Sequence, residues 1–225
     1  MLYVNVYVGQ FPEPSSYLFR HGNHPISQSF PHLSPLSIPQ SRHCHPGPFS
    51  ATFDDLGIAT PDRARLMSFV GPPLAETFAH HAGLTGQANV HAVATYRSHY
   101  RELMYQAPVY EGVPALVRSL DDAGVPLALA TSKRESLARQ IIDHTGLGPC
   151  FDAVAGAADD DRGGAKAVVI ARALVLLSAA GADTGRVVHV GDRSYDVDGA
   201  RQAGVECIGA LWGYGDATEL AGAQW

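Results

Sequence analysis

The chain has 225 residues and a mass of 23.9 kDa, with a formal charge of −6, a pI near 6.0, 46% apolar residues and 17% charged ones. That length buries a substantial core without covalent staples. The composition excludes a disordered or membrane-embedded chain, and the acidic balance argues against a general nucleic-acid binder.

Three cysteines (Cys44, Cys150 and Cys207) with no CxxC pair exclude a disulfide framework or zinc ribbon and fit a reducing compartment. The first residues lack the basic and long apolar regions of a secretory signal. The longest apolar run, 167–180, is interrupted by Arg172. The expectation is a soluble, cytoplasmic protein that contacts neither membrane nor nucleic acid. Of its 16 basic residues only two are lysines, Lys133 and Lys166, and their positions matter below.

Composition divides the chain into three regions. Residues 1–50 hold eight of the 15 prolines, eight serines and five of the 11 histidines, yet no Asp and one Glu, Glu13. Prolines recur from Phe30 to Pro48, so neither a helix nor a central strand is expected there. Only residues 2–8, alternating around Val4, Val6 and Val8, read as a strand. The region as a whole reads as a poorly structured arm.

Residues 51–107 read as short antiparallel helices. Pro61 and Asp62 open one through Leu66 and Phe69, and Gly71-Pro72-Pro73 breaks it. Leu74, Phe78 and His81 keep helical spacing up to Gly83. Val90, Val93, Tyr96, Tyr100 and Met104 mark a third helix, ended by Pro108.

From residue 108 to the C-terminus, helix and strand alternate. Pro114 opens a helix with Leu116 and Leu120 facing inward. Apolar strands are expected at 125–130, 152–155, 186–190 and 205–208, with helices at 134–144, 165–180 and 197–203 between them. Four strands separated by helices imply an α/β fold: a Rossmann-like, doubly wound parallel sheet core, here with a small helical domain inserted before it. In such sheets ligands sit at the C-terminal ends of the strands.

At those ends stand Thr131-Ser132-Lys133 and Gly191-Asp192-Arg193-Ser194-Tyr195-Asp196, with Lys166 opening the helix between them. Hydroxyls, free backbone N–H groups and an ammonium at a helix start form an anion site. Two carboxylates spaced Asp-x-x-x-Asp can face one hard cation such as Mg²⁺. Each residue also has a plainer reading. Asp192 can cap a helix and Asp196 can complement its dipole; Ser132 can cap the helix that follows it; Lys166 can be a surface lysine. Both lysines of the chain fall at strand ends, where a compact point charge suits a phosphate better than guanidinium does. Together the groups read as a phosphoryl-handling set.

From about Phe53 onward the sequence resembles the haloacid dehalogenase superfamily, closest to its phosphoglycolate phosphatase-like branch. The resemblance is carried by Ser68-Phe69-Val70-Gly71-Pro72-Pro73-Leu74, by Leu129 to Lys133, by Lys166 and its helix, and by Val190 to Ala200. It implies that Thr131 hydrogen-bonds the phosphoryl group, aided by the backbone around Ser132, and that Lys166 neutralises it. Asp192 would hold Mg²⁺, and Asp196 would position the ion directly or through water. Gly71 and Pro72 would belong to a cap loop that selects substrate, with Lys133 a supporting phosphate contact. His80, His81, His91 and His99 match no motif and read as solvent-facing or packing residues, and Asp159-Asp160-Asp161 as a solvated loop.

The family's chemistry begins with an Asp-x-Asp motif after the first strand: one carboxylate attacks phosphorus and the other moves protons. Residues 1–50 contain no Asp. Asp54-Asp55 lacks the spacing and fits the lead-in to the helical region. Family spacing points to Phe19–Gly22, in Tyr17-Leu18-Phe19-Arg20-His21-Gly22. The codons GAC ATG GAC for Asp-Met-Asp, preceded by C and read as CGA CAT GGA, encode Arg-His-Gly; a one-base insertion after Phe19, restored near Ser50, would account for an acid-free stretch. The expectation is a Mg²⁺-dependent phosphatase of this type, acting on a small phosphoglycolate-like phosphomonoester and impaired by the missing nucleophile. The alternatives are a phosphosugar mutase of the same superfamily and a non-catalytic phosphate-binding protein.

Overall fold

The computed structural model describes residues 6–9, 47–69, 73–106 and 109–225. Among these, one five-stranded sheet has the order β3-β2-β1-β4-β5. Its strands are β1 (Val6–Gly9), β2 (Leu127–Arg134), β3 (Ala153–Ala157), β4 (Val187–Gly191) and β5 (Glu206–Gly209). The pairs β2–β3 and β4–β5 are parallel, as alternating helices and strands require.

The strand expected near the N-terminus is present, but in the middle of the sheet rather than as part of an arm, and it runs antiparallel to both neighbours. Val6 pairs with Leu129 and Val8 with Leu127 on one side, and Tyr7 pairs with His189 and Gly9 with Val187 on the other. The physical reason for a strand here is that β2 and β4 would otherwise each bury a row of unpaired backbone groups. Either strand direction satisfies those groups.

Helices cover both faces of the sheet. Alternate residues of β2 point opposite ways, as the two-residue period of a strand dictates. Ala128 and Ala130, with Ala153 and Ala155 of β3, face Val169, Ile170, Ala173 and Leu177 of the helix Lys166–Ala179. Leu127 and Leu129, with Val154, face Ile141 and Ile142 of the helix Glu135–His144 and Val117 of the helix Val113–Asp122. In this last helix the inward residue is Val117, fully buried, whereas Leu116, expected inside, is 53% exposed. The helix begins at Val113, and packing selects the neighbouring position on its turn.

The helical unit comprises α1 (Gly47–Asp55), α2 (Arg63–Ser68), α3 (Leu74–Ala82) and α4 (Gly86–Leu103). Its core of Phe49, Phe53, Leu66, Phe69, Phe78, Ala92 and Val93 is separate from the two cores flanking the sheet. Asp62 accepts the Arg65 N–H at 2.8 Å and so opens α2, while Gly83, in the left-handed region at φ 66°, ends α3. The helices after the unit are α5 (Val113–Asp122), α6 (Glu135–His144), α7 (Lys166–Ala179) and α8 (Ser194–Gln202). Among the described residues, no helix is long and apolar enough to cross a membrane.

Candidate phosphate site at the sheet edge

Lys166 is the first residue of α7, which packs on α8, and its Nζ lies 2.7 Å from Asp196 Oδ1, with only 14% and 3% of the two side chains exposed. Gly199 makes this possible: a Cβ there would come within 2.7 and 2.8 Å of Lys166 Cγ and Cβ. Asp196 is the third residue of α8. Its Oδ2 accepts the backbone N–H groups of Asp192 (3.2 Å) and Arg193 (3.1 Å), and its Oδ1 also lies 3.4 Å from His189 Nε2. Burial pushes the Asp196 carboxyl up, but the Lys166 ammonium and the His189 contact outweigh it and hold Asp196 well below the usual carboxylate range. Burial lowers the pKa of His189 itself, against the opposing pull of Asp196.

Asp192 follows β4 directly. Its Oδ2 accepts the Tyr214 N–H at 2.8 Å, and Gly213 leaves no room for a Cβ beside it. Burial raises Asp192 to about 6 against that hydrogen bond; the charge of Asp196 adds to the rise, while Lys166 and Arg193 oppose it. The cap of α8 is therefore not Asp192. Arg193 occupies the N-cap position, and Asp196 closes the turn. Glu219 fixes the same turn from the C-terminal segment, accepting from Arg193 Nε (2.7 Å), Ser194 N (2.9 Å) and Ser194 Oγ (3.2 Å).

On the other side of β1, Thr131 is buried near the end of β2 and its Oγ1 accepts the Lys133 N–H at 3.2 Å. That bond leaves the hydroxyl proton available to donate. Ser132 does not cap α6, where Arg134 holds the N-cap position; instead it lines a cleft of about 680 Å³ together with Lys166. Lys133 turns away from this cleft, placing its Nζ 5.2 Å from the centre of the Tyr100 ring on α4. Gly71 and Pro72 lie outside the described residues, and the neighbouring Pro73 lines the cleft.

Sequence reasoning missed most of the remaining lining of the cleft. Glu76, Thr77, His80 and His81 reach it from α3, and Tyr195, Asp198 and Gln202 from α8. The doublet His80-His81 at a helix end was a visible signal without a motif to interpret it. His81 also stacks on Phe69 at 4.4 Å, a packing role, and His99 pairs with Asp55 at 2.8 Å. Asp54 accepts the Thr60 hydroxyl, so both acids of Asp54-Asp55 are engaged within the helical unit and its adjoining loop. The loop of Asp159–Asp161 is tied down rather than simply solvated. Asp161, at φ 67°, pairs with Arg97 of α4 and with Arg134 at the end of β2, so it bridges the helical unit and the sheet.

A Mg²⁺ ion needs a near-octahedral shell of hard oxygens. Both Asp196 oxygens are already engaged, by Lys166 and by two backbone N–H groups, which leaves, among the described residues, one oxygen of Asp192, whose other accepts the Tyr214 N–H. Among the described residues no group of three or more His, Cys, Asp or Glu is arranged to hold a metal. These residues alone do not form a resident Mg²⁺ site.

Comparison with known proteins agrees with the geometry. The chain is 38% identical over 170 residues to the tyrosine-protein kinase PtkA of Mycobacterium tuberculosis, covering 75% of this chain but only 57% of the kinase's length. It is 36% identical to a 5'-nucleotidase of Pseudomonas aeruginosa over 75% of this chain and 76% of that protein. A solved structure of a predicted phosphatase from Clostridium acetobutylicum superposes with a TM-score of 0.73 at 32% identity, covering 80% of this chain and 83% of the other. Residues 41–210 match the family model of haloacid dehalogenase-like hydrolases, and the chain belongs to that family.

Proposed function

We infer that this chain binds a small organic phosphomonoester at the edge formed by β2, α7 and α8, and that it hydrolyses it at most residually. The observation that carries this reading is Lys166: it is the first residue of a helix, lines the cleft beside Ser132, and is held in place by a buried carboxylate. The ammonium and the start of α7 attract the phosphate dianion. The Ser132 and Thr131 hydroxyls donate to its oxygens; Thr131 Oγ1 accepts the Lys133 N–H, which leaves its own proton free for this bond. Asp196 acts through Lys166, fixing the position of the ammonium.

Two observations support the loss of turnover. Residues 1–50 carry no Asp, and the family match leaves out residues 1–40. The direction of β1 adds a third. Its C-terminal end, Gly9, pairs beside Val187 at the strand end opposite Asp192, so the strand does not deliver its C-terminus to the edge that carries Thr131 and Asp192. Among the described residues Asp192 is the one carboxylate here with an oxygen free for Mg²⁺, so the ion's affinity should depend on the bound phosphate. In this reading α1–α4 form a cap over the cleft.

The test combines calorimetry with turnover. Inorganic phosphate should bind the full chain, Lys166→Ala should abolish that binding, and p-nitrophenyl phosphate should be hydrolysed at or near the background rate with Mg²⁺ present. Rapid hydrolysis that Lys166→Ala abolishes would overturn the inactive reading. Absence of phosphate binding would overturn the reading of the site.

A further inference from the structure

The cleft is asymmetric in charge and has room for more than a two-carbon acid. Its volume of about 680 Å³ lies in the middle of the range that accommodates drug-sized ligands, roughly 300–1,000 Å³. Lys166 is the one Lys or Arg lining it among the described residues, in a chain with 16 basic residues, and it is already ion-paired to Asp196. The rest of the lining carries Glu76 and His80 from α3, and Tyr195, Asp198 and Gln202 from α8, the helix on which Lys166 packs. Asp198 is compensated by Arg201 one turn on, whereas no cation pairs with Glu76 among the described residues.

An anion placed beyond the phosphate would therefore meet a carboxylate and, among the described residues, no second lining Lys or Arg. A hydroxyl or amide donor would meet acceptors at Glu76, Gln202 and His80, and a flat ring could lie on the half-exposed Tyr195. From this asymmetry we propose that the cleft takes a phosphomonoester of a bulky, uncharged, hydroxyl-bearing alcohol, and discriminates against substrates with a second anionic group. Glu76 is the residue that enforces the discrimination. The proposal rests on the phosphate-binding reading above and narrows the phosphoglycolate-like expectation from the sequence, because 2-phosphoglycolate carries the disfavoured carboxylate on a small alcohol.

The experiment measures binding of adenosine 5'-monophosphate, glucose 6-phosphate, 2-phosphoglycolate and inorganic phosphate to the full chain by calorimetry, each affinity divided by that for inorganic phosphate. At least one of the two bulky neutral-alcohol esters should exceed 2-phosphoglycolate. Glu76→Gln should narrow the ratio about two- to fivefold, the size of one solvent-facing charge interaction. Arg at the same position, Glu76→Arg, should narrow it further. The proposal fails if 2-phosphoglycolate binds as well as or better than both bulky esters, or if the ratio is unmoved in both variants. If inorganic phosphate itself does not bind, the underlying site assignment fails instead, so the two failures are distinguishable.

Discussion

The ends of β2 and β4 lie at the same sheet edge with β1 between them, and they are built in opposite ways. At the β4 end nearly every oxygen is engaged: Asp196 by Lys166 and two backbone N–H groups, Asp192 by Tyr214, Glu219 by Arg193 and Ser194. Glycines at 191, 199 and 213 leave no space beside these side chains. The β2 end is looser and reaches outward. Ser132 faces the cleft, and Lys133 and Arg134 contact the helical unit, through the Tyr100 ring and through Asp161 to Arg97. Arg97 and Tyr100 are three residues apart on α4, one face of that helix. The difference separates two tasks: β4 presents a fixed charge, and β2 connects the sheet edge to the helical wall of the cleft.

The largest effect should come from breaking the fixed side. Lys166→Ala leaves the buried Asp196 carboxylate without its ammonium, which should cost about 3–5 kcal/mol of stability, read as a lower urea midpoint with an unchanged slope. A loss below about 1 kcal/mol would mean the pair is solvated and the rigid description of the β4 end is wrong.

Next in size is Asp192, whose carboxyl is raised to about 6 from an ordinary 3.8. A raised acid favours the folded state fully only below its unfolded pKa and loses that contribution as pH rises through the folded one. Stability of the metal-free protein should therefore fall between about pH 4 and 6 through this group. Asp192→Asn keeps an acceptor for Tyr214 and should be more stable than the parent by about 3 kcal/mol at pH 7, with the gap closing by pH 4 in denaturant titrations. Asp196 works in the opposite sense: its lowered pKa adds stability above the ordinary carboxylate range that is lost as pH falls below it. Gly213→Ala tests the same end sterically, since its Cβ would collide with Asp192; overpacking of this kind costs about 1–3 kcal/mol.

The two ends also differ in how well they can be read from sequence. The β4 end is legible because its chemistry is local: Asp192, Asp196 and Gly199 lie within eight residues, and a lysine opens the neighbouring helix in a chain with only two. Its outer supports are not, because Tyr214 and Glu219 come from an irregular C-terminal segment with no periodicity to place it. The direction of β1 is illegible for a sharper reason. Val6, Tyr7 and Val8 alternate identically whichever way the strand runs, so side-chain pattern carries no information on parallel or antiparallel pairing. The role of Asp161 depends on a non-glycine residue at positive φ, which residue type alone does not reveal. The shifted-frame idea is also limited by the residues themselves. Asn23 codons begin with A, so the third shifted codon ends in A and encodes Glu, Ala, Gly or Val, never Asp. A shifted frame through Arg20 restores Asp-Met but not Asp-Met-Asp.

The smallest effect belongs to the β2 end and probes whether it is as loose as its contacts suggest. The Tyr100 ring lies under Lys133 and beside Tyr96, but its hydroxyl is buried without a hydrogen-bond partner among the described residues. Removing a buried polar group that makes no bond recovers its desolvation cost, while the ring face that holds the ammonium is retained. Tyr100→Phe should therefore be neutral or stabilising by up to about 1 kcal/mol, whereas Tyr100→Leu should lose about 0.5–1 kcal/mol with the cation–π contact. If Phe destabilises instead, the hydroxyl is bonded when the cleft is in its working state, and the β2 end is held as firmly as the β4 end. Only a phenol-dependent contact could produce that result, because Phe and Tyr present the same ring to Lys133.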